Sequence, residues 1–462
     1  MGDTAVVWFR RDLRVRDQPT FLAAADAASR SLALFVLDPA LLQPSGSARR
    51  TFLCRSLRAL DEALGGRLLI VRGDPADVVT LVAAGIDAAT VHVAADFGPY
   101  GTRRDEAVEK ALADAGRTLL RTGSPYAVAP GRVRKADGGS FGVFTPFRRA
   151  WAEHGWRAPA ETDASTVRWL DPDARDGGPG SVPIPDDEPV DAALPDAGED
   201  AAHRQWWAFL DGALSTYGEH RNRPDKPATS RMSVYLKFGE IHPRTMLADL
   251  APRRSASVET YRTELAWREF YADILWRRPD SARANYDRAF DALPLASGSV
   301  AEKRFAAWCE GGTGFPIVDA GMRQLREQAW MHNRVRMIVA SFLVKDLHLP
   351  WWRGARHFMQ LLVDGDLASN QHGWQWTAGS GTDASPYFRV FNPVTQGEKF
   401  DPDGDYVRRF VPELRGVAGK AVHRPWALPG GVPDGYPGPI VDHKAERLEA
   451  LERYERVKSM RD

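Results

Sequence analysis

Four short apolar runs, set apart by stretches with helical patterning, constrain the first third of the chain more than any other feature. They are Ala5–Phe9 (AVVWF), Leu32–Leu37 (LALFVL), Leu68–Val71 (LLIV) and Val91–Ala94 (VHVA). Each reads as a buried strand of a parallel sheet. Between them lie helix-like stretches such as Pro75–Ala84, where Pro75 suits a first helical turn and Gly85 the position just past the end. Strand, helix and strand in repetition predict a doubly wound α/β domain with helices on both faces of an open parallel sheet. No G-x-G-x-x-G follows the first strand and no G-x-x-x-x-G-K-[ST] occurs, so neither the dinucleotide nor the P-loop phosphate cradle is signalled.

The character of the chain changes near Asp171. The stretch DPDARDGGPGSVPIPDDEPVDAALPDAGED, ending at Asp200, is rich in Pro, Gly and acid and reads as a solvated connector. Beyond it, Ala202–Leu214, Val258–Arg278, Ala301–Glu310, Ile317–Ala340 and Arg353–Leu362 carry apolar residues at helical spacing. Eleven of the 15 Trp fall beyond residue 200, so the helical part is unusually aromatic. The expected division is an α/β domain over 1–130, a connector over 131–200 and a mostly α-helical domain over 201–462. No run approaches the roughly 18 apolar residues of a membrane span. The N-terminus lacks a basic region followed by an apolar run, so no secretory signal is expected. Cys54 and Cys309 are the only cysteines, which fits a reducing cytoplasm. Lys plus Arg and Asp plus Glu number 61 each, so any nucleic-acid site has to be a local patch.

Several segments concentrate chemistry. In TELAWREFYADILW, Glu264, Trp267, Arg268 and Tyr271 follow spacings of three, four and seven and share one side of a helix. A carboxylate beside large aromatics needs a polar partner if buried, yet the same spacing also makes Glu264 and Arg268 an ordinary solvated pair. In WMHNRVRM, Asn333 and Met337 share one helix face and Trp330 and Arg334 another. Such a set can hold phosphates and stack bases, or be a charged face over a core Trp. Thr229–Ser233 (TSRMS) packs three hydroxyls and a guanidinium into five residues, natural partners for phosphate oxygens, although such runs also cap helices. Asp364 and Asp366 flank Gly365, with Asn370, Trp374 and Trp376 following. Neither this D-x-D nor Asp401, Asp403 and Asp405 completes a calcium loop; in the second case the twelfth position is Pro412. With no H-E-x-x-H and no Cys pair, no metal is expected. Spacing leads as far as a two-domain protein with a polar, aromatic-lined ligand pocket.

The motifs TAVVWFRRDLRVRD, TSRMSVYLKFG, ELAWREFY and the block GFPIVDAGMRQLREQAWMHNRVRM…DGDLASNQHGWQW…NPVTQGEKFD together resemble the photolyase/cryptochrome family over nearly the whole chain. Within that family the resemblance is to microbial, class I-like cyclobutane pyrimidine dimer photolyases, which use reduced FAD and blue light to split ultraviolet-induced dimers in DNA. It implies an antenna-chromophore α/β domain joined by the connector to a helical FAD-binding and DNA-binding catalytic domain. The implied partner is damaged DNA, met by a cytoplasmic, nucleoid-associated monomer. Tyr217, Thr229, Ser230, Arg231, Met232 and Ser233 match FAD diphosphate and ribose contacts. Arg336 and Asp364 match an ion pair beside the isoalloxazine, and Arg268, Gly365 and Asp366 match further flavin contacts. Asn370 matches the residue facing flavin N5, where an Asn favours a flavin that stays reduced. Its carboxamide is able to turn its donor or its acceptor end to N5, whereas an ionised Asp only accepts.

Glu264 matches the catalytic carboxylate that hydrogen-bonds the dimer, and Trp267, Trp376 and Met337 match the walls around the flipped lesion. Tyr271, Asn333, Arg334 and Gln396 match DNA contacts, with Arg221 a phosphate ligand. Tyr261 replaces a Trp of some relatives. Trp374 and Trp351 match the first two members of an electron-transfer wire, but LPLASGSVAEKRF has no Trp for the third, leaving Trp352 and Tyr286 as candidates. The loop DFGPYGTRRD, with Tyr100, lacks the Asn-Glu pair of folate-binding members. Together with Lys237 it favours 8-hydroxy-5-deazaflavin over methenyltetrahydrofolate as the antenna chromophore. The competing expectation is a cryptochrome-like photoreceptor that signals through a protein partner. A (6-4) photolyase is disfavoured because Asn333 and Met337 stand where paired histidines are required.

Overall fold

The apolar runs form the sheet they predict. The computed structural model describes residues 3–172, 180–384, 386–387 and 389–458. Residues 173–179 of the acidic connector and the chain end at Asp462 lie outside the described residues. Strands β1 (Thr4–Phe9), β2 (Arg30–Leu37), β3 (Leu68–Arg72), β4 (Thr90–Val93) and β5 (Thr118–Arg121) pair in parallel in the order β3-β2-β1-β4-β5. Thr4 faces Arg30 across one edge of β1, and Ala5 faces Thr90 across the other. Four of these strands were legible as apolar runs. β5 was not, because as an edge strand it buries only Leu119 of its four residues.

Alternation along β1 builds two cores. Val6 and Trp8 pack under the helices on one face, whereas Val7 and Phe9 join a larger core that runs on into the helical part through Trp206, Leu236 and Phe238. The Pro75–Gly85 helix begins as expected, with Asp74 accepting the N–H of Ala76, but Gly85 is its last residue and Ile86 the cap. The segment between sheet and helical part carries structure of its own. Phe144–His154 is a helix that buries Phe144, Phe147 and Trp151. Further on, Asp187 and Glu188 pair with Arg50, Arg55 and Arg58 of the Ser47–Ala63 helix.

The helix expected over Ile317–Ala340 is two helices, Pro316–Gln328 and Asn333–Ser341. Ala329 is left-handed (φ 47°) and breaks the first. His332 starts the second by accepting the N–H of Arg334 through Nδ1. Trp330 therefore precedes the helix and shares no face with Arg334. The Ala202–Leu214 expectation is met by Glu199–Asp211 followed by a short 3-10 turn, Ala213–Thr216.

The two parts of the molecule meet along the end of β1. Leu13 N donates to Phe238 O at 3.1 Å, Arg14 Nη1 donates to Gly239 O at 3.1 Å, and Arg244 pairs with Asp17 at 2.6 Å. Gly239 is left-handed (φ 71°), and a Cβ there falls 1.9 Å from Arg11 O. Gly239→Ala is expected to cost about 3 kcal/mol or more, combining strain with a backbone clash. Gly138, also left-handed but with open space around its Cβ position, sets the comparison: Gly138→Ala is expected to cost about 1–2 kcal/mol. Urea unfolding of both variants checks the difference.

Candidate active site

One cavity of about 520 Å³ opens where these elements converge. Its longest wall is the 22-residue helix Ala256–Arg277, started by Ser255, whose hydroxyl accepts the N–H of Val258. Glu264, Trp267, Arg268 and Tyr271 all line the cavity from it. Glu264 and Arg268 are not a pair with each other. Arg221 Nη1 holds Glu264 at 2.6 Å, whereas Arg268 donates to the carbonyls of Pro125 and Leu236. Trp267 is stacked flat on Phe144, with ring centroids 3.6 Å apart and planes 9° apart. Tyr271 stacks on His372 and packs against Trp267.

The opposite wall is the Leu367–Ala378 helix, which presents Asn370, Trp374 and Trp376. Its first turn is capped by Asp366, which accepts the N–H of Ser369 at 3.0 Å and a second bond from Arg11 Nη2 at 2.8 Å. Burial works against the Asp366 carboxylate, but Arg11, Lys237 and Arg268 outweigh it and hold its pKa well below the usual range. Arg336 Nη2 grips Asp364 through both carboxylate oxygens, at 2.8 and 3.1 Å, and its Nε donates to Met331 O. A Cβ on Gly365 would fall 2.6 Å from Arg49 Nη1.

Tyr217 and Thr229–Ser233 close one end of the cavity. Of the three hydroxyls, Ser230 is engaged with the Tyr261 hydroxyl at 2.8 Å and accepts the N–H of Met232. Thr229 and Ser233 make no side-chain hydrogen bond to any described residue. Arg231 is left-handed (φ 55°) and lies over the Trp330 ring at 4.4 Å. Asn333, Arg334 and Met337 also line the cavity. Arg334 donates to Asn222 Oδ1 and lies over Phe400 at 4.5 Å. Burial, with Arg334 and Arg336 nearby, pushes His332 down to about 3, which keeps the ring neutral as its capping role requires.

Five expected residues fall elsewhere. Gln396 lies on the Pro393–Phe400 helix, outside the cavity lining. Trp351 is buried behind the wall and donates to Asn285 Oδ1 at 2.9 Å. Trp352 packs edge-on against it at 6.0 Å and is 38% exposed, whereas Tyr286 sits under Arg278. The two residues expected to share an antenna site do not line one cavity. Tyr100 donates to Asp38 at the sheet edge. Lys237 lines the main cavity because its short helix, Ser233–Phe238, directly follows the hydroxyl cluster. No pattern in the sequence marked Arg11, Arg49, Asn222, Phe144 or Gln371, whose partners are 100 or more residues away or on backbone.

Comparison with known proteins decides the family. The model of DNA photolyase matches residues 5–165, and that of the FAD binding domain of DNA photolyase matches residues 261–456. The deoxyribodipyrimidine photo-lyase of Streptomyces griseus is 42% identical, with 99% of each chain covered. This chain belongs to the DNA photolyase family. Among solved structures, the class III photolyase of Agrobacterium tumefaciens superposes with a TM-score of 0.91 at 39% identity, covering 99% of this chain and 98% of that one. The archaeal photolyase of Sulfolobus tokodaii, solved with two FAD molecules, superposes at 0.84 and 28% identity over 98% of this chain and all of that one.

The residues present suit the FAD that the family's helical domain binds. Free hydroxyls of Thr229 and Ser233 and the Arg231 guanidinium offer donors to phosphate oxygens. Lys237 is pushed down to about 7 by burial, with Arg11 and Arg49 adding repulsion that Asp366 and Asp96 only partly offset. A lysine whose folded pKa lies below its ordinary 10.5 leaves the fold less stable at pH 7 than at higher pH, and stability is regained as pH rises from about 7 to 10.5. Lys237→Met is expected to raise stability on the order of 2 kcal/mol near pH 7 and to flatten the rise toward about pH 10. Urea unfolding at the two pH values checks it.

Proposed function

We propose that this chain is a deoxyribodipyrimidine photolyase that splits cyclobutane pyrimidine dimers in DNA. The observation that carries the reading is one cavity in which a carboxylate, Glu264, stands with Trp267, Trp376 and Met337, while Asn370 and the Arg336–Asp364 pair occupy the same space. Reduced FAD, when bound, supplies the light-excited electron that opens two C–C bonds of the dimer and then returns, so there is no net redox change.

The chain's own residues bind and orient. A dimer within the duplex stack is out of reach, so it has to turn out of the helix, and aromatic surfaces replace the stacking it loses. Trp267 and Trp376 offer those surfaces, and Trp267 cannot tilt away because Phe144 backs it. Arg221 fixes one oxygen of Glu264, leaving the carboxylate aimed and able to accept a pyrimidine N–H. Asn333, Arg334 and Gln396 act on the flanking DNA. For the antenna, Lys237 belongs to the main cavity, so the preference for 8-hydroxy-5-deazaflavin over methenyltetrahydrofolate rests on the loop DFGPYGTRRD alone. For electron supply, Trp374 and Trp351 lead outward, and contact with Trp351 together with exposure ranks Trp352 above Tyr286 as the terminus.

The deciding experiment illuminates protein carrying chemically reduced FAD with an oligonucleotide containing one thymine dimer, against a dark control. Light-dependent recovery of thymine absorbance is expected; no recovery with flavin bound and reduced sinks the reading in favour of a photoreceptor. In the same assay Glu264→Ala is expected to lower repair yield on the order of tenfold, as for one hydrogen bond to a charged group, with FAD content unchanged. Trp352→Phe is expected to slow light-driven flavin reduction by an external donor, read as bleaching of oxidised flavin, and to leave repair by chemically reduced protein intact.

A further inference from the structure

Asn370 and Gln371 are neighbours on the Leu367–Ala378 helix, and their side chains form one chain of amides. Gln371 Nε2 donates to the backbone carbonyl of Ala282 at 2.6 Å, which leaves Gln371 Oε1 facing Asn370. Asn370 Nδ2 donates to that oxygen at 2.8 Å and to the backbone carbonyl of Ala355 at 3.1 Å. A backbone carbonyl has no hydrogen to give, so both ends of the chain terminate on groups that only accept. Turning either amide over would set oxygen against oxygen. Gln371 is buried, so water does not relieve such a mismatch.

Both hydrogens of the Asn370 amide are therefore spent on the protein. Its Oδ1 accepts from none of the described residues, and Asn370 lines the cavity. The chain ties the consecutive helices Trp351–Leu361 and Leu367–Ala378 to the turn at Pro279–Ala282, which is distant in sequence.

We infer that Gln371 is a positioning residue that locks the Asn370 amide with its oxygen, never its nitrogen, toward the flavin. This rests on the reading that Asn370 faces flavin N5. It also narrows what the sequence left open, since an amide free to turn serves either oxidation state, whereas a fixed acceptor serves only the one in which N5 carries hydrogen. An oxidised N5 offers a lone pair to that oxygen and is repelled. The lock thus biases the bound flavin toward its reduced form through a side chain that does not touch it.

The test equilibrates the FAD-loaded protein in the dark with a reference dye of known potential and reads the ratio of reduced to oxidised flavin. Gln371→Met keeps length but offers neither amide group. Its ratio is expected to fall about fivefold or more, as for one ordinary hydrogen bond, and Asn370→Asp is expected to fall as well. If Asn370→Asp moves and Gln371→Met stays within about twofold of the parent, the lock is wrong and the reading of Asn370 stands. If neither moves, Asn370 does not face the reacting edge and the lock falls with it. Should Gln371→Met lose its flavin, Gln371→Glu decides. Protonated, it can donate to Ala282 and still accept from Asn370, so its ratio is expected to return to that of the parent at the same pH as pH falls. A constant offset across pH would overturn the proposal.

Discussion

The carboxylate of Asp366 holds the two halves of the molecule in register. One oxygen caps the Leu367–Ala378 helix through Ser369 N–H, and the other takes the guanidinium of Arg11, two residues beyond β1. That helix carries Asn370, Gln371, Trp374 and Trp376, so one ion pair ties a whole cavity wall to the carboxyl end of the central strand β1. The pair is partly buried, and a desolvated charge left without its partner is costly. Removing either partner would leave the other stranded at the junction, which is why Arg49, donating to Leu362 O, and Arg14, donating to Gly239 O, surround it with further ties.

The segment between the domains does comparable work on the opposite wall. Glu269, on the cavity helix Ala256–Arg277, accepts the N–H groups of Ala127 and Val128 and the indole N–H of Trp151. Burial pushes this carboxyl up to about 7, against the pull of those three donors. The same helix that holds Trp151 begins at Phe144, whose N–H is capped from afar by Asp383, while Thr382 donates to Gly142 O. Phe144 is thereby pressed flat on Trp267. The segment expected over 131–200 as a connector thus includes, ahead of its acidic, proline-rich stretch, the backing of an aromatic wall.

How much of this was legible differs between fold and site. Continuous apolar runs announced β1 to β4, because strands buried on both faces cannot hide their hydrophobicity, whereas the edge strand β5 could. The helix break at Ala329 was invisible because Ala is a strong helix former, and only tertiary packing around Trp330 and Met331 forces it left-handed. Helical spacing brought Glu264, Trp267, Arg268 and Tyr271 to one face correctly but suggested the wrong partner for Glu264. Arg221 lies on a separate short turn, and no local pattern links the two. The amide chain through Gln371 was illegible for the same reason: both of its ends are backbone carbonyls contributed by other elements.

The charge balance bears on how such a protein finds a lesion. With 61 basic and 61 acidic side chains there is no excess of cations to bind DNA everywhere. Locally, several cations near the cavity are already committed: Arg221 to Glu264, Arg334 to Asn222 and Arg223 to Asp225. A phosphate contact made by any of these three has to displace or share an existing partner. With the proposed roles of Trp267 and Trp376, the cavity would supply the difference, because only a base pair already weakened by damage turns out cheaply enough to reach them. Selectivity, on this view, comes from withholding electrostatic affinity until stacking and hydrogen bonding in the cavity replace it.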